Sequence, residues 1–184
     1  MNNILFAASE SVPFIKTGGL ADVVGALPQY INKDKFDVRV IMPYYTCIPA
    51  QYRNDFKYVT HFYMDYGMRN EGAHVGIMEY EYNGIKFYFV DNEYYFKCDT
   101  PYSSDLKWDI ERFTFFCKAV LAILPVIGFR PDVIHCHDWQ ASMIPVFLHT
   151  AFATNPFFSS TKTIMTIHNL KFQGVWDIDT FKFN

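Results

Sequence analysis

Four short apolar runs, each closed by polar or turn-forming residues, constrain this chain more than any other feature. They are Asn3 to Ala8 (NILFAA), Asp37 to Met42 (DVRVIM), Pro131 to His137 (PDVIHCH) and Lys162 to Ile167 (KTIMTI). Near-continuous apolar runs of this length suit strands buried on both faces of a parallel sheet. Between them, Leu20, Val23, Val24 and Leu27 recur at helical spacing, as do Phe113, Phe116, Val120, Leu121 and Leu124 within a helix expected from Asp105 to Ile127. Ser103, Ser104 or Asp105 is available to cap that helix, and Gln140 to Ala153 reads as another. Strand alternating with helix predicts an α/β chain with a doubly wound parallel sheet. Pro28 falls inside the first helical pattern, so that helix either kinks there or restarts with the proline in its first turn.

Residues 56–90 change character. KYVTHFYMDYG, AHVGIMEYEY and IKFYFVD read as strands, and Asn83-Gly84 joins the last two. Asn-Gly between strands is a strong hairpin signal because both turn positions need positive φ. The expectation is an antiparallel hairpin excursion at the edge of the main sheet.

With 184 residues and 51% hydrophobic content, the chain can bury a core as one domain. The formal charge is −3 and the basic residues are scattered, so no nucleic-acid face is expected. The longest apolar run, Ala119 to Phe129, is short of the roughly 20 residues of a membrane span. No basic stretch precedes the first apolar run, unlike a secretory signal. Cys47, Cys98, Cys117 and Cys136 form no CxxC pair and read as free thiols of a reducing cytoplasm.

Ligands of open parallel sheets bind outside the carboxyl ends of the strands, which gives three polar loops a common address. After the first strand come Glu10 and the stretch KTGGL with Lys16, Gly18, Gly19 and Asp22. Two readings stand for it. Glycine amides at a helix start, with Lys16 beside them, make an anion cradle, or the stretch is a flexible turn with Asp22 as a first-turn acid. The order is neither GxGxxG nor GxxxxGK[ST]. At the end of the third run stand His135 and His137, with Asp138 directly after, in HCHDW, either metal ligands or hydrogen-bonded side chains. After the fourth come His168 and Asn169, which can bond a hydroxylated ligand or cap their own loop. Glu10 is a solvated acid or a hydroxyl acceptor, and Tyr102 in DTPYSSD packs or stacks on a sugar.

The ordered set SESVPFIKTGGLADVVGALP, HCHDWQA and TIHNLKFQG resembles bacterial glycogen synthase and plant starch synthase. These are retaining glucosyltransferases that use nucleotide-activated glucose. The resemblance runs along all 184 residues, more loosely over 44–110. It implies the GT-B fold, two Rossmann-like domains facing across a cleft, with residues 1–184 as the N-terminal, acceptor-side domain and the C-terminal nucleotide-sugar domain outside this sequence. By the same resemblance Lys16, Gly18 and Gly19 lie near the diphosphate and Asp22 helps hold the nucleotide. His168, with Asn169 beside it, reaches the transferred glucose as the catalytic position, and Glu10, Tyr102 and Asp138 line the acceptor side. The implied partners are ADP-glucose (or UDP-glucose), an α-1,4-glucan and the missing domain; no cofactor, metal, nucleic acid or membrane is implied. The chain alone is then expected to have little transferase activity. Competing readings are a non-catalytic malto-oligosaccharide-binding module and a metal-dependent hydrolase built on His135, His137, Asp138 and His168.

Overall fold

The computed structural model describes residues 2–66 and 72–175. Gly67, the last residue of the first excursion segment, lies outside the described residues, as does the stretch 176–184 of the family resemblance. The elements run β1 (Asn2–Ala7), α1 (Gly19–Tyr30), β2 (Phe36–Pro43), α2 (Ala50–Arg53), β3 (Lys57–Met64), β4 (Ala73–Tyr82), β5 (Ile85–Asp91), α3 (Glu93–Phe96), α4 (Leu106–Val126), β6 (Val133–His137), α5 (Met143–His149) and β7 (Lys162–Thr166). Among the described residues no helix is long and apolar enough to cross a membrane.

One sheet holds all seven strands in the order β3-β4-β5-β2-β1-β6-β7. From β5 to β7 the neighbours are parallel, which is the doubly wound arrangement the alternation predicts. Chain order reverses at β1: β2 lies on one side and β6 on the other. Connections leaving these strands therefore diverge and open a crevice at their carboxyl ends. The four apolar runs all form strands within a residue or two of their expected bounds.

Asn83 and Gly84 both take positive φ, 52° and 70°, as the hairpin requires. The excursion differs from expectation in one respect. β5 is an inner strand that pairs parallel with β2, so only β3 and β4 form the antiparallel edge. Its run from Ile85 to Val90 is nearly all buried, which only an inner strand permits.

Asp105 caps α4, its carboxylate accepting from the amides of Lys107 and Trp108. The expected inward face, Phe113, Phe116, Val120, Leu121 and Leu124, is at most 1% exposed. α1 continues through Pro28 to Tyr30 without restarting. The helix expected from Gln140 to Ala153 is broken into a 3-10 turn, Trp139–Ala141, and α5. It stops early because the Phe152 amide folds back to the Phe147 carbonyl at 2.9 Å. All four cysteines are free, as expected, although Cys47 and Cys98 bring their sulfurs within 3.7 Å.

The loop between β1 and α1 is anchored by Phe14, which is 1% exposed and meets Tyr52, Phe56, Tyr80, Tyr82, Phe87 and Phe89 at ring-centroid distances of 4.9–6.1 Å. Edge-on contacts of this kind add to the burial of the ring itself. The anchor joins the site-bearing loop to the hairpin half of the sheet. Phe14→Ala is expected to lower the unfolding free energy by about 3–5 kcal/mol in a urea melt; a loss below about 1 kcal/mol would show that the six rings close over the gap.

Candidate functional site

The sequence at the end of β1 turns polar while still inside the protein. Ser9 and Glu10 are 0% and 2% exposed. Glu10 faces back into the loop that follows, and its Oε2 accepts from the Thr17 amide at 2.6 Å and from the Thr17 hydroxyl at 2.9 Å. The carboxylate thus fixes the backbone just ahead of the α1 start. Burial raises the Glu10 pKa above its ordinary value; the Thr17 and Gly18 donors oppose this and the nearby Asp138 charge adds to it. Gly18 is the N-cap residue of α1 and has no side chain to cap the helix. A Cβ on Gly19 would meet nothing within 4 Å, so the helix start is open.

β6 and β7 carry the other half. Asp138 follows β6 with φ 57° and ψ 177°, a conformation costly for any residue but glycine. It is held there from both sides: its amide donates to the Thr166 carbonyl at 2.9 Å, and its Oδ1 accepts from the His168 amide at 2.7 Å. His168 also approaches the buried His137, with Nε2 of one 2.9 Å from Nδ1 of the other. Gly174 brings the loop after β7 back over the Trp139 ring. It has φ 66°, and a Cβ there would lie 2.5 Å from that of Trp139, so the approach requires glycine.

Tyr102 closes a third side. Its hydroxyl is 2.8 Å from Ser9 Oγ, and burial pushes its pKa above the usual phenol range. A buried ion pair fixes the loop that carries it. Arg112 NH2 lies 2.7 Å from Asp109 Oδ1 and donates to the Pro101 carbonyl at 2.5 Å, while Asp109 accepts from the Ser103 amide at 3.1 Å. Burial raises the Asp109 pKa, and Arg112 is the main force opposing it.

These pieces line a single cleft of about 970 Å³ that includes Glu10, Gly18, Gly19, Tyr102, Asp138, His168 and Asn169. Lys16 and Asp22 are not among its lining residues. They pair with each other at 2.8 Å, each about half exposed, beside the start of α1. Thr17, Asp109 and Gln140 belong to the cleft lining but were not singled out in the sequence. Thr17 and Gln140 sit inside the quoted motifs, whereas nothing in the sequence marks Asp109 as a residue of the same cleft.

The histidines do not form a metal centre. Among the described residues no group of three or more His, Cys, Asp or Glu side chains is placed to hold an ion. His137 and His168 turn nitrogens toward each other, and His135 Nε2 is engaged by the Thr166 hydroxyl at 2.7 Å. The hydrolase alternative therefore lacks its ligand set.

The starch synthase catalytic domain family matches residues 3–184. The chain belongs to that family. It is 60% identical over 180 residues to the glycogen synthase of Lachnoclostridium phytofermentans and 58% identical over 182 residues to that of Lachnospira eligens. These alignments cover 98% and 99% of this chain but only 37% of each relative. In structure it resembles the catalytic domain of starch synthase IV from Arabidopsis thaliana bound to ADP and acarbose, with a TM-score of 0.86 at 26% identity, over 98% of this chain and 36% of that one. The chain thus spans a little over a third of the length of these starch and glycogen synthases.

The environment of Glu10 gives a pH test. Its folded pKa is raised above 4.5, so as pH climbs past that value the folded state holds more proton than the unfolded state, and stability falls. Glu10→Gln keeps an oxygen for Thr17 and removes the charge. In urea melts the variant is expected to gain on the wild type between about pH 4 and pH 7. A difference that stays constant across that range would show that the Thr17 and Gly18 donors offset burial completely.

Proposed function

We propose that residues 1–184 form the N-terminal, acceptor-side domain of a glycogen or starch synthase of the GT-B type. On this reading the full protein transfers glucose from ADP-glucose to the non-reducing end of an α-1,4-glucan with retention, in the cytoplasm. The observation that carries it is the single cleft in which the open α1 start, Asp138 and His168 meet. The starch synthase IV catalytic domain of the same fold, which is bound to ADP and acarbose, supports a nucleotide and a sugar as the ligands of this protein.

Each group has a physical task. The free amides at the start of α1 and the helix dipole favour an anion, and Lys16 supplies a full charge once it turns from Asp22, which then serves the nucleotide. As the glucosyl bond breaks, negative charge grows on the departing diphosphate, and fixed donors aimed at it stabilise the transition state most. His168 and Asn169 offer donor and acceptor atoms to the hydroxyls of the transferred glucose. Glu10, Tyr102 and Asp138 accept from hydroxyls of the incoming glucan end.

The second domain supplies the remainder of the donor pocket, including cationic side chains for the diphosphate. Two observations support such a partner: the relatives are nearly three times as long as the matched stretch, and edge strand β7 leaves Ile164 and Met165 50% and 40% exposed. Apolar side chains on a strand with no second partner among the described residues favour cover by further chain.

The test is turnover of ADP-glucose, with UDP-glucose alongside, by the full-length protein on glycogen. Activity with ADP-glucose, little with UDP-glucose and almost none from residues 1–184 alone is expected. His168→Ala in the full-length protein is expected to lower kcat/KM by about 10²-fold or more, with only a modest fall in melting temperature from the loss of the His137 partner. Malto-oligosaccharide binding without turnover would instead favour a binding module.

A further inference from the structure

The histidines at the ends of β6 and β7 form one continuous array. The His135 and His137 rings have centroids 4.0 Å apart, and His137 Nδ1 lies 2.9 Å from His168 Nε2. His137 is completely buried and stacks on Phe6 at 5.2 Å. Its Nε2 is buried with no hydrogen-bond partner. Burial, then the neighbouring His135 and His168, pushes its pKa down to about 3, so the ring is neutral and holds one proton.

That proton has two places to sit. On Nε2 it would be a buried N–H without an acceptor, and His168 would have to donate from its own Nε2. On Nδ1 it is donated to His168, and His137 keeps only a bare lone pair unpaired. Buried N–H groups without acceptors are rarer than acceptors left short, so the second arrangement is favoured. His168 Nε2 is then an acceptor, which leaves the His168 proton on Nδ1, the nitrogen not engaged by His137. The main chain of His168 is fixed independently by its bond to Asp138, so the ring is held at two points.

We propose that His137 is a positioning residue: its Nδ1–H donates to His168 Nε2 and selects the tautomer in which His168 offers Nδ1–H to a sugar hydroxyl in the cleft. Its kinetic consequence rests on the glucosyltransferase reading above; the tautomer does not.

The experiment uses full-length protein labelled with 15N in its histidine rings, with the His168 signals identified by their loss in His168→Ala. In the wild type, His168 is expected to show a protonated Nδ1 and an unprotonated Nε2 without any ligand. His137→Phe keeps a flat ring against Phe6 but removes the donor, and His137→Asn returns an amide donor near the Nδ1 position. His137→Phe is expected to lose the tautomer preference and to reduce kcat/KM for ADP-glucose about tenfold, with His137→Asn recovering most of both. A wild-type His168 protonated at Nε2 would overturn the proposal, as would a folded His137→Phe enzyme with unchanged kcat/KM. Should His137→Phe fail to fold, the wild-type spectrum and His137→Asn still decide it. A wild type that leaves ADP-glucose untouched removes the glucosyltransferase reading, while the ring spectra continue to test the hydrogen bond.

Discussion

β1 has parallel partners on both sides, and the position of the cleft follows from that constraint. Leu5 to Ala8 are at most 1% exposed, with β2 on one edge and β6 on the other. A strand paired on both edges has its backbone satisfied only as far as its neighbours run alongside. Where β1 ends, Ser9 and Glu10 remain inside the protein and must find side-chain partners. They find them in Tyr102 and Thr17, and these two bonds shape the near wall of the cleft. The far wall follows the same logic at β6, where Asp138 takes up the amide of His168.

Several features of this region are unfavourable on their own. Asp138 has a backbone conformation costing about 1–3 kcal/mol, Glu10 and Asp109 are buried acids, and the pair of Asp109 with Arg112 gives little net stabilisation once desolvation is counted. The rest of the fold offsets them. The aromatic group around Phe14, the buried apolar run of β5 and the apolar residues of α4 from Phe115 to Leu124 supply the burial that does so. Strained and buried polar groups gather where the strands end, and this concentration is itself a mark of a functional cleft.

Much of this was legible in the sequence because it depends on local pattern. Apolar runs gave the strands, Asn83-Gly84 the hairpin and Asp105 the α4 cap. The three motif loops met because a doubly wound sheet puts every parallel strand end on one side. What was not legible depends on partners distant in the chain. Periodicity identifies β5 as a strand but cannot say that it pairs with β2. No spacing rule shows that Lys16 turns to Asp22 and away from the cleft, or that Arg112 reaches the Pro101 carbonyl. The pairing of His137 with His168 spans 31 residues and needs the β6–β7 register to appear.

On the proposed reading, the charge layout of the cleft sorts its ligands. Asp138 lies close enough to Glu10 for its charge to raise the Glu10 pKa, so that end of the cleft opposes any further negative charge. Carboxylates accept readily from hydroxyls, and a neutral sugar chain brings no charge to be repelled. An anion finds favourable surroundings toward the start of α1, where the helix dipole favours negative charge and Lys16 stands paired with Asp22. Thr17 lies at the join, its amide and hydroxyl both bonded to Glu10, so the acid is fixed beside the helix start. On the proposed reading this division sets the direction of transfer: the charged leaving group is held at the helix end, the neutral acceptor at the acid end, and the glucose between them beside His168.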